Sequence, residues 1–562
     1  MQLAKARQAD RIWVVNVGDL KPLEIPINHY LDLAYDTSRW GYDSVPTWLK
    51  LWAAREFGSE YSDAISSVVD RYGMYAARRK YELLDPSTYS QLNYNEAEAV
   101  LAQWDALGKD AQAIYDKLDE TSKPSFYQMI LQPVLGGGVV TRIHTEVGKN
   151  SHFAIQKRNA ANDVATGVMD LFKRDHELTQ RYHDLLDGKW SHMLDQTHLG
   201  YSYWQQTMRN TLPPLSFVQN LEISLAGNLG IGVEASNATV PGDDAYHSLS
   251  SNTLTLPPID PYGPKTRWID IFARGTEACS WKVSPWVDYV TVSPASGNSG
   301  GSNGTDARVY ISVDWSKAPA APNTTTVNIN VTSSCDWGSF SDPLIKLLVT
   351  NVAIPSDFAG FVESDKHIAI EAEHTSRNTA VNGVSYQTLA GLGRTLSGVT
   401  LSPVLAPSQA PNVGPVLEYD VYTFTNTSKT NVTLYLSTSL NQMGRTRPLK
   451  YAIAFDAESP QTVQFVANTT GLDGAALPAG WAGAVSDAVW GLSSGNSTTT
   501  THDLSKLGKH TLKLWLLEPG VIVQKVVVDL GGVRPSYLGP PESFRAGVES
   551  LESYKGENFA GI

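Results

Sequence analysis

The segment from 189 to 206, KWSHMLDQTHLGYSYWQQ, holds the densest group of side chains that could do chemistry. His192, Asp195 and His198 are spaced by three residues, so a helix would place them along one slanted face. Two imidazoles and a carboxylate are a common metal-ligand set, but helical zinc motifs place their histidines four residues apart. The spacing favours a hydrogen-bond network where the helical region meets another domain. A buried polar seam that contacts no ligand explains the same residues equally well.

Aromatic residues close the same segment. Tyr201 and Trp204 follow His198 within six residues, and the C–H faces of sugar rings pack on such side chains. Polar groups mixed with aromatic rings are typical of a surface that binds hydroxyl-rich ligands. Such a mixture also suits an interface, because it would be neither left in water nor buried without hydrogen bonds.

A second group of polar residues follows an apolar run near the start of the chain. The continuous apolar run Ile12 to Val17 is typical of a parallel strand that is covered on both faces. Asn16 lies at the end of this run, where it could bind a sugar hydroxyl, and Lys21 follows in a polar loop, where it could meet a carboxylate. The alternative is a structural strand-to-helix loop in which Asp19 caps the helix.

Three segments resemble one known family. They are RIWVVNVGDLKPLEIPINHYLDLAYD at 11–36, the segment at 189–206, and HTLKLWLLEPGVIVQKVVVDLGGVRPSYLGPPES at 510–543. In this order they are similar to glycoside hydrolase family 115, the xylan alpha-1,2-glucuronidases. The resemblance covers the chain from Arg11 to about Ser543.

The resemblance implies an activity and a substrate. The family removes glucuronic acid or 4-O-methylglucuronic acid from xylan with inversion, so xylan or a xylo-oligosaccharide is the expected partner. Family members carry an N-terminal domain and a catalytic (β/α)8 barrel before the helical region. Since this chain starts at what resembles the last barrel strand, we expect the C-terminal portion of such an enzyme. The catalytic acid and base would lie on earlier barrel strands, so none is assigned here and the chain alone is expected to be inactive.

Size and charge narrow the function classes. A chain of 562 residues is expected to form about three to five domains. Its formal net charge of −13 disfavours nucleic acid and anionic membranes as partners, since both attract basic patches. No apolar run is long enough to predict a membrane span. No cofactor is expected for the chemistry, and a homodimer stays open.

The expected fold class is multidomain α + β. Helical periodicity runs through the first part, for example from 96 to 118 and from 159 to 186, and short alternating strands fill the second part. The last strands, 510–516 and 521–530, are predicted to form a hairpin. The predicted units are the end of a barrel at 1–26, a helical bundle at 27–214, a connector at 215–265, a small β-sandwich at 266–352, a second, jelly-roll-like β-sandwich similar to a carbohydrate-binding module at 353–535, and a loose tail at 536–562.

Cysteines and glycosylation sequons favour an extracellular protein. Cys279 and Cys335 lie in one predicted β-domain, where a disulfide is favoured over two buried free thiols. No signal peptide is visible in this sequence, although N-x-S/T sequons are concentrated after residue 230. The sequon asparagines are Asn237, Asn303, Asn323, Asn330, Asn426, Asn431, Asn468 and Asn496.

Carboxylates at the ends of the last domain suggest a cation site. Glu371 and Glu373 open this domain and Asp529 closes it. The pattern resembles family 6 and 35 carbohydrate-binding modules, and the resemblance implies a structural calcium held by carboxylate oxygens. Merely exposed carboxylates are the alternative. A basic run, Arg78-Arg79-Lys80, is expected to form a solvated face.

A second class of function remains open on sequence grounds. The helical and β-domains could form a non-catalytic carbohydrate-binding or subunit-assembly module, a hypothesis favoured by the lack of most of the barrel.

Overall fold

Helices occupy the first third of the protein. The computed structural model describes residues 1–562 except 19, 203–207, 243–252, 336, 338–341, 469–476, 492–496, 555 and 557–562. The helices are α1 Gln2–Ala6, α2 Glu24–Tyr35, α3 Val45–Phe57, α4 Ser62–Arg78, α5 Glu96–Tyr115, α6 Lys123–Phe126, α7 Gln132–Ile155, α8 Ala161–His183, α9 Leu185–Gly188 and α10 Trp481–Ser486.

The helices α2 to α8 pack around one apolar core. The predicted periods are confirmed, since α5 and α8 cover the two periodic stretches and bury the expected faces. A π-helical turn, Tyr127–Leu131, continues α6 into α7. Gly137 allows close helix packing there, because a Cβ at this position would lie 2.3 Å from the Tyr81 hydroxyl.

The predicted barrel strand is absent from the described residues. Ile12 to Val17 has no strand pairing, and Ile12 and Val14 are 84% and 90% exposed. A parallel strand exists only when a neighbour accepts and donates its backbone hydrogen bonds, and the described residues offer none here. Trp13 packs against the helical core, where its ring and that of Tyr30 meet edge to face. The predicted boundary at residue 26 also falls inside α2.

The first β-sandwich begins earlier than predicted. Its strands are β1 Leu229–Val233, β2 Thr239–Val240, β3 Thr253–Thr255, β4 Thr266–Ala273, β5 Ser280–Pro285, β6 Val290–Ser293, β7 Ser296–Asn298, β8 Ala307–Val313, β9 Asn323–Ser333 and β10 Leu344–Asn351. They form two sheets, in the orders β2-β1-β4-β8-β6 and β3-β10-β9-β5-β7. The first three strands lie in the predicted connector, where β1 has all five residues buried. A strand covered on both faces loses the alternation that would reveal it.

The C-terminal domain is a second sandwich. Its strands are β11 Gly360–Val362, β12 His367–Glu371, β13 Arg377–Thr379, β14 Ser385–Ala390, β15 Ser397–Ser402, β16 Val416–Thr423, β17 Thr427–Leu436, β18 Lys450–Phe455, β19 Gln461–Gln464, β20 Thr499–Leu504, β21 Gly508–Leu516, β22 Ile522–Asp529 and β23 Arg545–Ala546. One sheet runs β19-β18-β21-β16-β11-β23 with β13 beside β16, and the other runs β14-β15-β22-β17-β20 with β12 beside β22.

The predicted final hairpin is wrong in its pairing. The strands β21 and β22 both form, but they belong to different sheets. Both are apolar because each faces the core between the sheets, so the sequence gives two strong strands whether they pair or oppose one another. The tail is not loose either, since β23 pairs with β11 and Leu538 is fully buried.

Arg158 joins the helical bundle to the first sandwich. It lies between α7 and α8, and its Nη1 is 3.0 Å from Asp270 Oδ2 and 2.9 Å from Asp306 Oδ2. The guanidinium is 1% exposed. The next residue, Asn159, donates its backbone N–H to the Ala273 carbonyl at 2.9 Å. A guanidinium between two carboxylates keeps these buried charges paired.

Arg267 joins the two sandwiches in a similar way. Its Nη1 lies 2.7 Å from Glu234 Oε1, and its Nη2 lies 3.1 Å from Asp365 Oδ2 in the C-terminal domain. Beside this pair, Ser364 Oγ donates to Asp260 Oδ2 at 2.8 Å. The sandwiches therefore meet through buried polar groups, beside an apolar cluster in which Tyr262 contacts Phe424 and Phe544.

Arg78 joins the bundle to the C-terminal domain, and the expected solvated basic face is wrong for this residue. Its side chain is buried, and its Nε donates to the Arg394 carbonyl at 2.8 Å. Arg79 pairs with Asp487 at 3.0 Å. Tyr537 from the tail donates its hydroxyl to the Arg78 carbonyl at 2.5 Å.

The disulfide prediction is confirmed. Cys279 and Cys335 are bonded, with their Cα atoms 5.5 Å apart. The described sequon asparagines are exposed or half-buried, and Asn496 lies outside the described residues. Within the described ranges, no helix is long and apolar enough to cross a membrane.

Candidate functional site

Lys21 and Trp190, from two segments marked by the sequence, lie against each other. The Lys21 ammonium is 4.1 Å from the centroid of the Trp190 ring. Lys21 also pairs with Glu24 at the start of α2, and Glu24 Oε1 accepts a hydrogen bond from Gln128 Nε2 at 2.7 Å. The lysine is thereby held by one charge and one π face.

His192 and Asp195 continue this surface. His192 Nδ1 lies 2.6 Å from Asp195 Oδ2, and the His192 side chain is 83% exposed. His183 Nε2 lies 3.7 Å from the other oxygen of Asp195 and accepts the Leu194 backbone N–H at 3.1 Å. We call the surface formed by Lys21, Trp190, His192 and Asp195 the lysine–tryptophan face.

The predicted helix through this segment is wrong. After α9 the described backbone from 189 to 202 forms turns, and His192 has a φ of +65°. His192 and Asp195 meet across a turn, whereas His198 points elsewhere. The polar composition shared by turns and helix surfaces explains why spacing alone suggested a helix.

His198 pairs with a residue that the sequence did not mark. Its Nε2 lies 2.8 Å from Asp175 Oδ1 on α8. Burial opposes the charged imidazole, but the hydrogen bond and the charge of Asp175 together raise the His198 pKa. This pair fixes the end of the loop to the bundle.

The remaining marked residues are not gathered at this face. Asn16 is exposed, and its Oδ1 accepts the Gly18 backbone N–H at 3.0 Å. Tyr201 is half-buried, and Trp204 lies outside the described residues. The lysine–tryptophan face therefore offers a cation, a ring and a histidine–aspartate pair, which suit binding of a hydroxyl-rich, acidic ligand.

The expected calcium ligands do not come together. In the β12–β22 ladder Glu371 lies opposite Lys525, whereas Asp529 lies opposite His367, so Glu371 and Asp529 are about 13 Å apart at the usual rise per residue. Glu373 pairs with its neighbour His374 instead, with Glu373 Oε1 3.8 Å from His374 Nε2. Among the described residues no cluster of three metal-binding side chains occurs.

The Lys525 ammonium lies beside Glu371, one of the three expected calcium ligands. Its Nζ is 3.1 Å from Glu371 Oε1 and donates to the carbonyls of Pro540 and Leu538 at 3.0 and 3.3 Å. Thr395 Oγ1 donates to both oxygens of Glu371. The carboxylate thus has its countercharge from the chain itself, which does not fit a metal there.

Two family models match this sequence, one in the helical region and one in the C-terminal sandwich. The model of the glycosyl hydrolase family 115 matches residues 1–83, and that of the glycosyl hydrolase family 115 C-terminal domain matches residues 360–542. The two matched segments belong to glycoside hydrolase family 115. No curated protein matches this chain.

One solved structure shares the fold over nearly the whole chain. A family 115 4-O-methyl-alpha-glucuronidase, described as specific for decorated arabinogalactans, is 13% identical and superposes with a TM-score of 0.50 over 94% of this chain. This chain spans 48% of that protein's length. The mixed α and β fold with several sheets is shared.

A second solved structure matches a smaller part of this chain. A family 35 carbohydrate-binding module from Clostridium thermocellum is 15% identical, and the match covers 29% of this chain and 97% of the module, with a TM-score of 0.17.

Proposed function

We propose that this chain is the C-terminal portion of a secreted alpha-glucuronidase that removes glucuronic acid or its 4-O-methyl ether from xylan by inverting hydrolysis. The observation that carries the proposal is the pair of family matches, at residues 1–83 and 360–542, on one fold in family order. Arabinogalactan, the substrate named for the solved neighbour, is the competing polysaccharide.

The lysine–tryptophan face is the proposed contact with the acidic sugar. The Lys21 ammonium can pair with the uronate carboxylate, because a flexible lysine can exchange its half-buried carboxylate partner Glu24 for another. Trp190 supplies a ring beside it. Asn16 stays a predicted contact to a sugar hydroxyl, since its amide nitrogen can donate two further hydrogen bonds.

Hydrolysis itself is assigned to the part of family enzymes that this chain does not match. An inverting site needs an acid and a base whose carboxyl groups lie ~6.5–9.5 Å apart around the bond and its water. The lysine–tryptophan face supplies binding groups and one exposed, histidine-paired carboxylate instead. We therefore expect these 562 residues to bind substrate without cleaving it.

Secretion is supported by two observations. The Cys279–Cys335 disulfide is typical of proteins that fold in oxidising compartments. Most of the described sequons, such as Asn237 and Asn426, expose their asparagines, as glycosylation requires.

The test is binding and turnover by the purified chain. We expect retention by 4-O-methylglucuronoxylan in affinity electrophoresis, without release of uronic acid. Lys21→Met should weaken retention by roughly tenfold, because a charge-assisted hydrogen bond contributes about 1.5–3 kcal/mol. Lys173→Met, which removes an exposed surface lysine paired with Asp170, is the matched control and should change nothing.

Three outcomes would contradict parts of this proposal. Equal retention of both lysine variants would remove the lysine–tryptophan face from substrate binding. Stronger retention by glucuronidated arabinogalactan would change the substrate class. Release of uronic acid above a heat-inactivated sample would place the acid and base within these residues.

A further inference from the structure

A cleft opens where the helical bundle, the first sandwich and the tail meet. It encloses about 510 Å³ including its open mouth. Its walls include Tyr94 from the bundle and Glu234, Trp268, Arg308 and Tyr310 from the first sandwich. None of these residues belongs to the lysine–tryptophan face.

The aromatic wall is set by strand register. Trp268 on β4 lies directly opposite Tyr310 on β8, and their neighbours Ile269 and Ile311 point into the sandwich core. Alternation therefore puts both rings on the outer side of the sheet. Tyr310 is 48% exposed, and the Arg308 guanidinium lies 3.7 Å from the centre of the Trp268 ring, which leaves Tyr310 as the open platform.

The polar wall contains an acceptor that lacks a donor. Glu234 Oε1 accepts from Arg267 at 2.7 Å, whereas Glu234 Oε2 is buried without a hydrogen-bond partner among the described residues. The side chain is 10% exposed and lines the cleft. A buried carboxylate oxygen left unpaired carries a desolvation cost that a ligand hydroxyl would remove.

Charge at the cleft favours a neutral ligand. Arg267 is already paired with Glu234 and Asp365, and Arg308 donates to Asp270 at 2.9 Å. Both guanidinium groups near the cleft are thus neutralised by the chain. A uronate carboxylate would find no unpaired cation here, in contrast to the face around Lys21.

We infer that this cleft is an ancillary glycan-binding site that takes a neutral sugar residue. The ring would lie on Tyr310, and a hydroxyl would donate to Glu234 Oε2. Such a site would hold the unsubstituted backbone or side chain of a polysaccharide. It does not depend on the activity proposed above, because its ligand lacks the acidic group.

The experiment is titration calorimetry of the whole chain with xylotetraose and with galactotetraose, both free of uronic acid. We expect saturable binding of one of them, with a dissociation constant on the order of 1 mM or below. Tyr310→Ala should weaken binding roughly tenfold or more, whereas Tyr310→Phe keeps the ring and should retain it.

The matched control is Trp286→Ala. Trp286 is an exposed aromatic of the same sandwich, 61% exposed, outside the cleft, so its loss should leave the dissociation constant unchanged. Absence of saturable binding to both neutral sugars would overturn the inference. Equal loss in Tyr310→Ala and Trp286→Ala would overturn it too, since binding would then not depend on the cleft. Neither result bears on glucuronoxylan retention through Lys21.

Discussion

At the scale of single residues, buried charged side chains form contacts that the sequence pattern does not predict. Glu371 and Lys525 are each 1% exposed, and burial raises the pKa of the Glu371 carboxyl. The ion pair is tolerable only while both partners and their hydrogen bonds remain.

Removing the lysine alone should therefore be costly. Lys525→Met leaves a buried carboxylate without its countercharge and should lower the free energy of unfolding by about 3–5 kcal/mol. The double variant Glu371→Leu, Lys525→Met should recover much of this loss, because no charge then remains buried. Urea denaturation measures both. A double variant no more stable than the single one would show that lost packing, and not the unpaired charge, sets the cost.

Some residue roles could be predicted from sequence and others could not. Lys21 and the 189–206 segment were marked separately, and the structure places Lys21 on Trp190 from that segment. The sequence predicts a solvated Arg78. This is wrong because Arg78 donates a hydrogen bond to the Arg394 carbonyl, which lies 316 positions away in the chain. Burial of a charge depends on such distant partners, which a local pattern does not contain.

At the scale of elements, periodicity predicts helices and strands that bury one face. It fails for segments whose structure depends on pairing with a distant strand. The helices α5 and α8 and the strands β21 and β22 follow their patterns. The run Ile12 to Val17 has strand composition but no partner strand, and β1 has a partner but no alternation. The residues around His192 form turns, although their spacing suggests a helix, because polar residues are common both in turns and on helix surfaces.

The disulfide gives a prediction at this scale. It links the residue before β5 to a residue just after β9, and these strands are adjacent and antiparallel. With a sequence separation of 56, the chain-entropy account gives about 4 kcal/mol of stabilisation. Reduction should lower the unfolding midpoint of the first sandwich, followed by denaturation with and without reductant. Two titratable thiols in the native, unreduced protein would refute the bond.

At the scale of the whole molecule, buried arginines hold the domains together. Sequence resemblance predicted the family and the order of the domains. It could not predict the junctions, since Asp270 and Asp306 lie 112 and 148 positions along the chain from Arg158.

Arg158→Leu tests this form of assembly. It leaves Asp270 and Asp306 buried without their shared guanidinium, although Arg308 still reaches Asp270. We expect a loss of about 3–5 kcal/mol and faster proteolysis between bundle and sandwich. Arg174→Leu, which breaks an exposed pair with Glu177, should cost within about 1 kcal/mol. Similar losses in chemical denaturation would argue against Arg158 as the junction.

The buried segment around Leu538 has a consequence for how this architecture can be inherited. After leaving the C-terminal sandwich, the chain donates the backbone N–H groups of Tyr537 and Leu538 to Glu96 of the bundle. A recombination breakpoint after β22 would remove from the bundle the segment around Leu538, which packs into its core. Bundle and C-terminal sandwich should therefore be exchanged between genes together, as one cassette, and not shuffled independently as detachable modules are.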